Sequence, residues 1–147
     1  MRNKYFPIIV ITFFILIFLI FYKGLKTSNI YTPKANIEKD IPIFKAKIFD
    51  NNKEVSSEEI FKSENFYLLN IWASWCLPCR EEHSFLTYLS NQNNIEIIGL
   101  NYKDNSESAK NFLKELGSPY KIILSDNDGT IAIEWGAYGV PETFLIY

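Results

Sequence analysis

The sequence predicts an α/β protein with a largely parallel sheet at its centre, behind an amino-terminal membrane helix. Three observations carry this reading. Tyr5 to Tyr22 is an uncharged, mostly apolar run of 18 residues, near the length needed to cross a bilayer core. Phe66 to Ala73 is almost continuously apolar, as in a strand covered on both faces. From Ile43 to Tyr147, strand-like and helix-like segments alternate, the pattern of helices laid on a parallel sheet.

The bulk properties set the frame. The chain has 147 residues, 48% apolar, 22% charged and 16% aromatic, which suits one domain and an appendage. Six Gly and six Pro are too few for a low-complexity chain. A net charge of -2 provides no basic excess for nucleic acid, so no nucleic-acid partner is expected. Two Cys and one His cannot form a four-ligand zinc site without carboxylates, nor a disulfide-rich scaffold.

Residues 1–26 read as a membrane anchor. Arg2 and Lys4 precede the apolar run; Lys23 and Lys26 follow it. Pro7 sits in the first turn, where a helix tolerates it. The segment Lys23-Gly24-Leu25-Lys26-Thr27-Ser28 lacks the small-residue cleavage pattern of a signal peptide, which favours an uncleaved anchor. The flanking charges barely decide its orientation. Residues 27–40 read as a linker, with polar residues and Pro33 but no apolar period. Residues 27–147 hold 11 basic and 17 acidic residues, a net charge of -6, which does not suit a polybasic lipid-binding module.

The domain is expected over residues 41–147. Ile43 to Phe49 alternates, with Phe44, Ala46 and Ile48 on one face, a strand signal. Asp50-Asn51-Asn52 reads as a turn. Ser56 or Ser57 is a candidate cap for a short helix through Phe61. The Phe66–Ala73 strand is followed by a helix from about Cys79 to Ser90. Ile95 to Tyr102 is a second apolar strand. Ser106 to Leu116 is a helix, with Ser106 as candidate cap and Gly117 as its stop. Lys121 to Ser125 is a strand, Asp126-Asn127-Asp128-Gly129 a turn, Thr130 to Trp135 a short helix and Thr143 to Tyr147 a last strand.

The chemistry concentrates in Trp75-Cys76-Leu77-Pro78-Cys79, after the central strand and at the start of a helix. Two intervening residues place both sulfurs in the first helical turn, within disulfide reach. Free amides and the positive dipole end there stabilise a thiolate. Cys76 is therefore expected to be the exposed, acidified nucleophile, with Cys79 deeper and resolving the mixed disulfide. Other readings stay open. Cys76 and Cys79 could be half of a zinc site, with His83 at i+4 on the same helix face as Cys79; the disulfide could be purely structural. Covalent haem attachment requires His after the second Cys, and Arg80 stands there. Val140-Pro141 precedes the last strand. It is either an edge device or a cis peptide bond set against the dithiol, shaping a substrate groove.

Three segments together are more specific than the Cys-x-x-Cys pair: Leu69-Asn70-Ile71-Trp72-Ala73-Ser74-Trp75-Cys76 running into Cys79-Arg80-Glu81-Glu82-His83; Gly99-Leu100-Asn101-Tyr102-Lys103-Asp104; and Trp135-Gly136-Ala137-Tyr138-Gly139-Val140-Pro141-Glu142-Thr143-Phe144-Leu145-Ile146. In this order they resemble the membrane-anchored thioredoxin-like proteins of cytochrome c maturation (CcmG/DsbE type). The resemblance runs from about Ile41 to the end and includes the anchor. It implies a thioredoxin-like fold, a central mixed sheet flanked by helices. It also implies a weakly reducing thiol–disulfide oxidoreductase on the bacterial inner membrane, single-pass, with its carboxyl-terminal domain in the periplasm. Its redox-active Cys76–Cys79 disulfide would serve without metal or other cofactor. Implied partners are apocytochrome c, other cytochrome c maturation proteins, a membrane thiol-reductant transporter and the lipid bilayer.

The resemblance maps an acidic active site onto Glu82 and Glu142, and substrate contacts onto Trp75, Leu77, Pro78, Val140 and Pro141. Thioredoxin carries a buried Asp beneath its dithiol. Asn70 holds the matching position, so Glu82 or Glu142 could act as base for Cys79; otherwise both are ordinary surface charges. His83 is expected to pack or bond locally. Ser84 stands where the family often has Pro. The chain stops at Tyr147, where a thioredoxin-like domain normally adds a strand and a closing helix, so a carboxyl-terminally incomplete fold is expected. Alternatives are a reductant or oxidant of another envelope pathway, a non-catalytic peptide-binding module, or an inactive fragment.

Overall fold

A computed structural model describes residues 5–26, 40–62, 66–92 and 95–147. The expected linker, apart from Asp40, lies outside the described residues. Helix α1 (Phe6–Lys26) and the domain from β1 onward belong to separate compact units. The span Phe6–Leu25 is long and apolar enough to cross a membrane, and none of it is buried against protein. Inside it, the hydroxyl of Thr12 donates to the carbonyl of Ile8 one turn back, which keeps that polar group satisfied in an apolar setting.

The domain is built on one six-stranded sheet. Its strands are β1 (Lys45–Ile48), β2 (Glu54–Ser56), β3 (Phe66–Trp72), β4 (Ile95–Tyr102), β5 (Ile122–Asp126) and β6 (Glu142–Ile146), in the order β2-β1-β5-β4-β3-β6. β3, β4 and β5 run parallel; β1, β2 and β6 join antiparallel. The sheet is therefore mixed, with the expected parallel part at its centre. The alternation read in β1 holds: Phe44 and Ala46 are buried while Ile43 is exposed.

Helices cover both faces. They are α2 (Ser57–Ile60), α3 (Leu77–Ser90), α4 (Ser106–Leu116) and α5 (Thr130–Glu134). On one face, Leu69, Ile71, Ile98, Leu100 and Leu124 pack with Ile60, Ile131 and Trp135. On the other, Trp72, Cys76, Cys79, Leu86, Ala109, Phe112 and Tyr120 form a second cluster. Burial of each large apolar side chain contributes about 1.5–3 kcal/mol. Gly99 matters on this second face. A Cβ there would come within 2.9 Å of both the Trp72 indole nitrogen and the Tyr120 ring, so only glycine lets those stacked rings lie against β4.

The local differences from expectation have clear causes. α2 is capped by Ser56, whose hydroxyl and Glu59 form a capping box. α4 is capped by Asn105 rather than Ser106, because its side-chain oxygen accepts from the amides of Glu107 and Ser108. Gly117, at φ 84°, ends α4 as expected. α3 begins two residues early, at Leu77, because the cap is Cys76 itself. β2 had no signal: it has three residues and pairs only with β1.

Candidate active site

β3 ends at Trp72, and the chain turns through Ser74 and Trp75 into α3. The amide of Cys76 donates to the carbonyl of Ala73 (3.2 Å), which closes this turn. Cys76 Sγ accepts from the amide of Cys79 at 3.1 Å, and the two sulfurs are bonded at 2.01 Å. Pro78 stands in the first turn of α3, which holds no acidic residue to cancel the dipole. On reduction, a thiolate at Cys76 would keep the Cys79 amide and the positive helix end beside it, both of which favour the negative charge.

One expectation is corrected here. Cys76 is not the exposed sulfur: the residue is 4% exposed, against 2% for Cys79. Both cysteines pack into the cluster under α3 and α4. The exposed surface belongs to their neighbours. Trp75 (59%), Leu77 (68%) and Tyr138 (61%) stand open, and Pro78 is exposed as well. Val140 and Pro141 are half-buried; Val140 packs against the cluster that holds both cysteines, and the Val140–Pro141 bond is cis.

A polar network lies on the adjoining part of β3. Asn70 is fully buried. Its Nδ2 donates to Glu82 Oε1 (2.9 Å) and to Thr143 Oγ1 (3.0 Å), and its Oδ1 accepts from the Tyr120 hydroxyl (2.9 Å). Burial, reinforced by the Glu82 charge, holds the Tyr120 hydroxyl well above its ordinary pKa, so it remains a donor. Glu142 is engaged elsewhere: its Oε1 accepts from the amides of Tyr138 (2.6 Å) and Gly139 (3.2 Å), in the loop before Pro141. Glu82 and Glu142 thus sit in two hydrogen-bonding settings. His83 is 2% exposed, with Nε2 2.9 Å from the carbonyl of Gly117 and its ring edge-on to Phe112. It packs locally, as expected.

The redoxin family model matches residues 37–147. The chain belongs to the redoxin family. Within it, the chain is a thioredoxin-like protein of DsbE type. It is 44% identical to the thiol:disulfide interchange protein DsbE of Escherichia coli K12, over 76% of this chain and 60% of that protein. With DsbE of Pasteurella multocida it shares 40% identity over 99% of this chain and 80% of that protein. It therefore spans about 60% of the length of the Escherichia coli relative. Two solved structures share the fold. The secreted Mycobacterium tuberculosis disulfide oxidoreductase homologous to E. coli DsbE superposes with a TM-score of 0.61 at 17% identity, covering 69% of this chain and 74% of that one. MTB DsbF does so at 0.60 and 22% identity, covering 70% and 75%.

Within this DsbE-type domain, sequence reasoning had singled out the dithiol, its rim and both glutamates. It missed Tyr120 and Thr143, which bracket Asn70 from β4's far neighbour loop and from β6. Register provides the second link, since Asn70 pairs with Thr143 across β3 and β6. It also missed Asp104. That carboxylate accepts from the amide and hydroxyl of Ser74 (2.6 and 2.7 Å), directly before Trp75.

Proposed function

We propose that the chain is a membrane-anchored thiol–disulfide oxidoreductase that reduces disulfides of apocytochrome c before haem attachment. The observation that carries this reading is the Cys76–Cys79 pair at the amino end of α3, rimmed by exposed Trp75 and Leu77. The thiol:disulfide interchange relatives support the reaction type. In the reduced protein, the Cys76 thiolate attacks one sulfur of a substrate disulfide. That bond breaks, a mixed disulfide forms, and one substrate thiolate leaves. Cys79 then gives up its proton and attacks Cys76 Sγ, restoring the internal disulfide and releasing the second thiolate. Two electrons pass to the substrate, and a membrane thiol-reductant transporter replaces them.

Glu82 acts as the base for Cys79. It stands three residues further along α3, oriented by the Asn70 amide. Glu142 shapes the Tyr138–Pro141 loop that faces the substrate. Trp75, Leu77, Pro78, Val140 and Pro141 form the peptide groove. Helix α1 holds the domain at the outer face of the bacterial inner membrane. Trapping tests this: Cys79→Ser in the full chain should accumulate a mixed disulfide through Cys76 with apocytochrome c, and Cys76→Ser should not. A Cys79→Ser chain that captures no thiol partner would refute the reading.

A further inference from the structure

Trp75, directly before Cys76, forms an exposed aromatic wall beside the dithiol, yet little core packing holds it. Its indole Nε1 donates to the carbonyl of Lys103 at 3.2 Å. That carbonyl sits in an unusual stretch of backbone. Lys103 has φ +43°, a left-handed conformation uncommon outside glycine. Its amide is tied to the carbonyl of Asp126 (2.9 Å). The next residue, Asp104, fastens the loop to the Ser74–Trp75 turn. Asp104 Oδ2 accepts from the Ser74 amide (2.6 Å) and Asn101 Nδ2 (2.9 Å). Its Oδ1 accepts from the Ser74 hydroxyl (2.7 Å) and the Asn105 amide (2.8 Å).

All four partners are donors, and only an ionised carboxylate is acceptor at both oxygens. An amide at this position would set its NH₂ group against a backbone N–H donor, that of Ser74 or that of Asn105. Two links therefore join the loop to the groove wall: Asp104 to the Ser74 backbone, and the Lys103 carbonyl to the Trp75 ring. Loss of the first frees the second.

We propose that Asp104 is a positioning residue for substrate recognition: through Ser74 and the Lys103 carbonyl it holds Trp75 as a fixed wall of the groove. Asp104 takes no part in the sulfur chemistry. A fixed wall lowers the ordering cost when a peptide docks, so its loss raises KM for a peptide more than it lowers kcat. The proposal rests on reading the groove as a peptide site, and the test separates the two.

The experiment uses the full chain in detergent micelles, labelled with ¹⁵N at tryptophan, with Asp104→Asn and Ser74→Ala compared to wild type. The substrates are hydroxyethyl disulfide and a synthetic peptide with one internal Cys-x-x-Cys disulfide. For Asp104→Asn, peptide turnover relative to hydroxyethyl disulfide turnover should fall about tenfold, carried by KM. The Trp75 indole signal should shift and exchange faster with water, while those of Trp72 and Trp135 stay in place. Ser74→Ala removes one of the four bonds and should move both readouts less, in the same direction. An unmoved Trp75 signal overturns the proposal. So does an equal loss for both substrates with all three indole signals displaced, which marks a purely structural role. If Asp104→Asn fails to fold, an unchanged KM and Trp75 signal in Ser74→Ala overturn it as well. If wild type reduces hydroxyethyl disulfide but not the peptide, the substrate reading fails, and the Trp75 signal alone decides the role of Asp104.

Discussion

Asn70 donates its buried amide to Glu82 across 2.9 Å, so a neutral residue on the central strand β3 holds a carboxylate of α3. The orientation of that amide is forced. Glu82 is an acceptor when ionised, so Nδ2 must face it, which leaves Oδ1 for the Tyr120 hydroxyl. Asn70→Asp sets a second carboxylate against Glu82, and one of the two must take up a proton or repel the other. The variant should lose about 1–3 kcal/mol at pH 8 and less at pH 5, read from urea midpoints at each pH.

Glu82→Gln keeps an acceptor toward Asn70 but removes the carboxylate proposed as the base. Resolution of the mixed disulfide by Cys79 should slow about 10²-fold near neutral pH, with attack by Cys76 little changed. Rapid-quench trapping of the intermediate measures both steps. A resolution rate equal to that of wild type would remove Glu82 from catalysis.

Glu142→Ala removes the carboxylate that accepts from the amides of Tyr138 and Gly139. It should cost about 0.5–1.5 kcal/mol and loosen the loop before Pro141, while Glu142→Gln should recover most of that loss. Thermal melts with hydrogen exchange at residues 138–140 would show it. Rescue by Gln would separate this anchoring role from the one proposed for Glu82, where Gln should not rescue.

Tyr120 gives an alkaline signature. Burial, then the Glu82 charge, raises its pKa above that of the unfolded tyrosine, about 10. The stability it contributes is present below about pH 10 and is lost as pH rises through the folded value, because the unfolded chain gives up its proton first. Tyr120→Phe should flatten this alkaline fall, at a cost of about 1–3 kcal/mol at neutral pH for the unpaired Asn70 oxygen. Melts between neutral pH and the alkaline range test both effects.

Asp126 acts in the acid range. It is 2% exposed and accepts from the amides of Ile131 and Ala132 at the start of α5. Burial raises its pKa, with the neighbouring Asp128 charge adding to it, and the two amide bonds lower it only in part. Its contribution is therefore fully present below the ordinary carboxylate range and falls as pH rises through the raised folded value. Across that window, wild type should lose stability relative to Asp126→Asn. Paired melts of the two proteins would show this crossing.

Much of this was legible where burial is two-sided or periodic. The Phe66–Trp72 strand is apolar on both faces because helices cover both, and α4 carries a clear stop in Gly117. Cys76 was recognisable as chemistry but not as a helix cap, since sulfur lies outside the usual capping set. Its burial was also hidden, because the residues that cover it come from α4 and from the Val140 loop, distant in sequence. Asp104, Tyr120 and Thr143 carried no periodic signal. Each acts through long-range hydrogen bonds to a single residue, and only the fold brings that partner within reach.

If Cys76 and Cys79 form a reductant pair, as proposed, the reduction potential of the pair will show it. The full chain in detergent would be equilibrated against glutathione buffers and followed by tryptophan fluorescence. A cooperative two-electron transition at or below about -200 mV is predicted. A value near about -120 mV would make the pair an oxidant, and would contradict the account even with the fold intact.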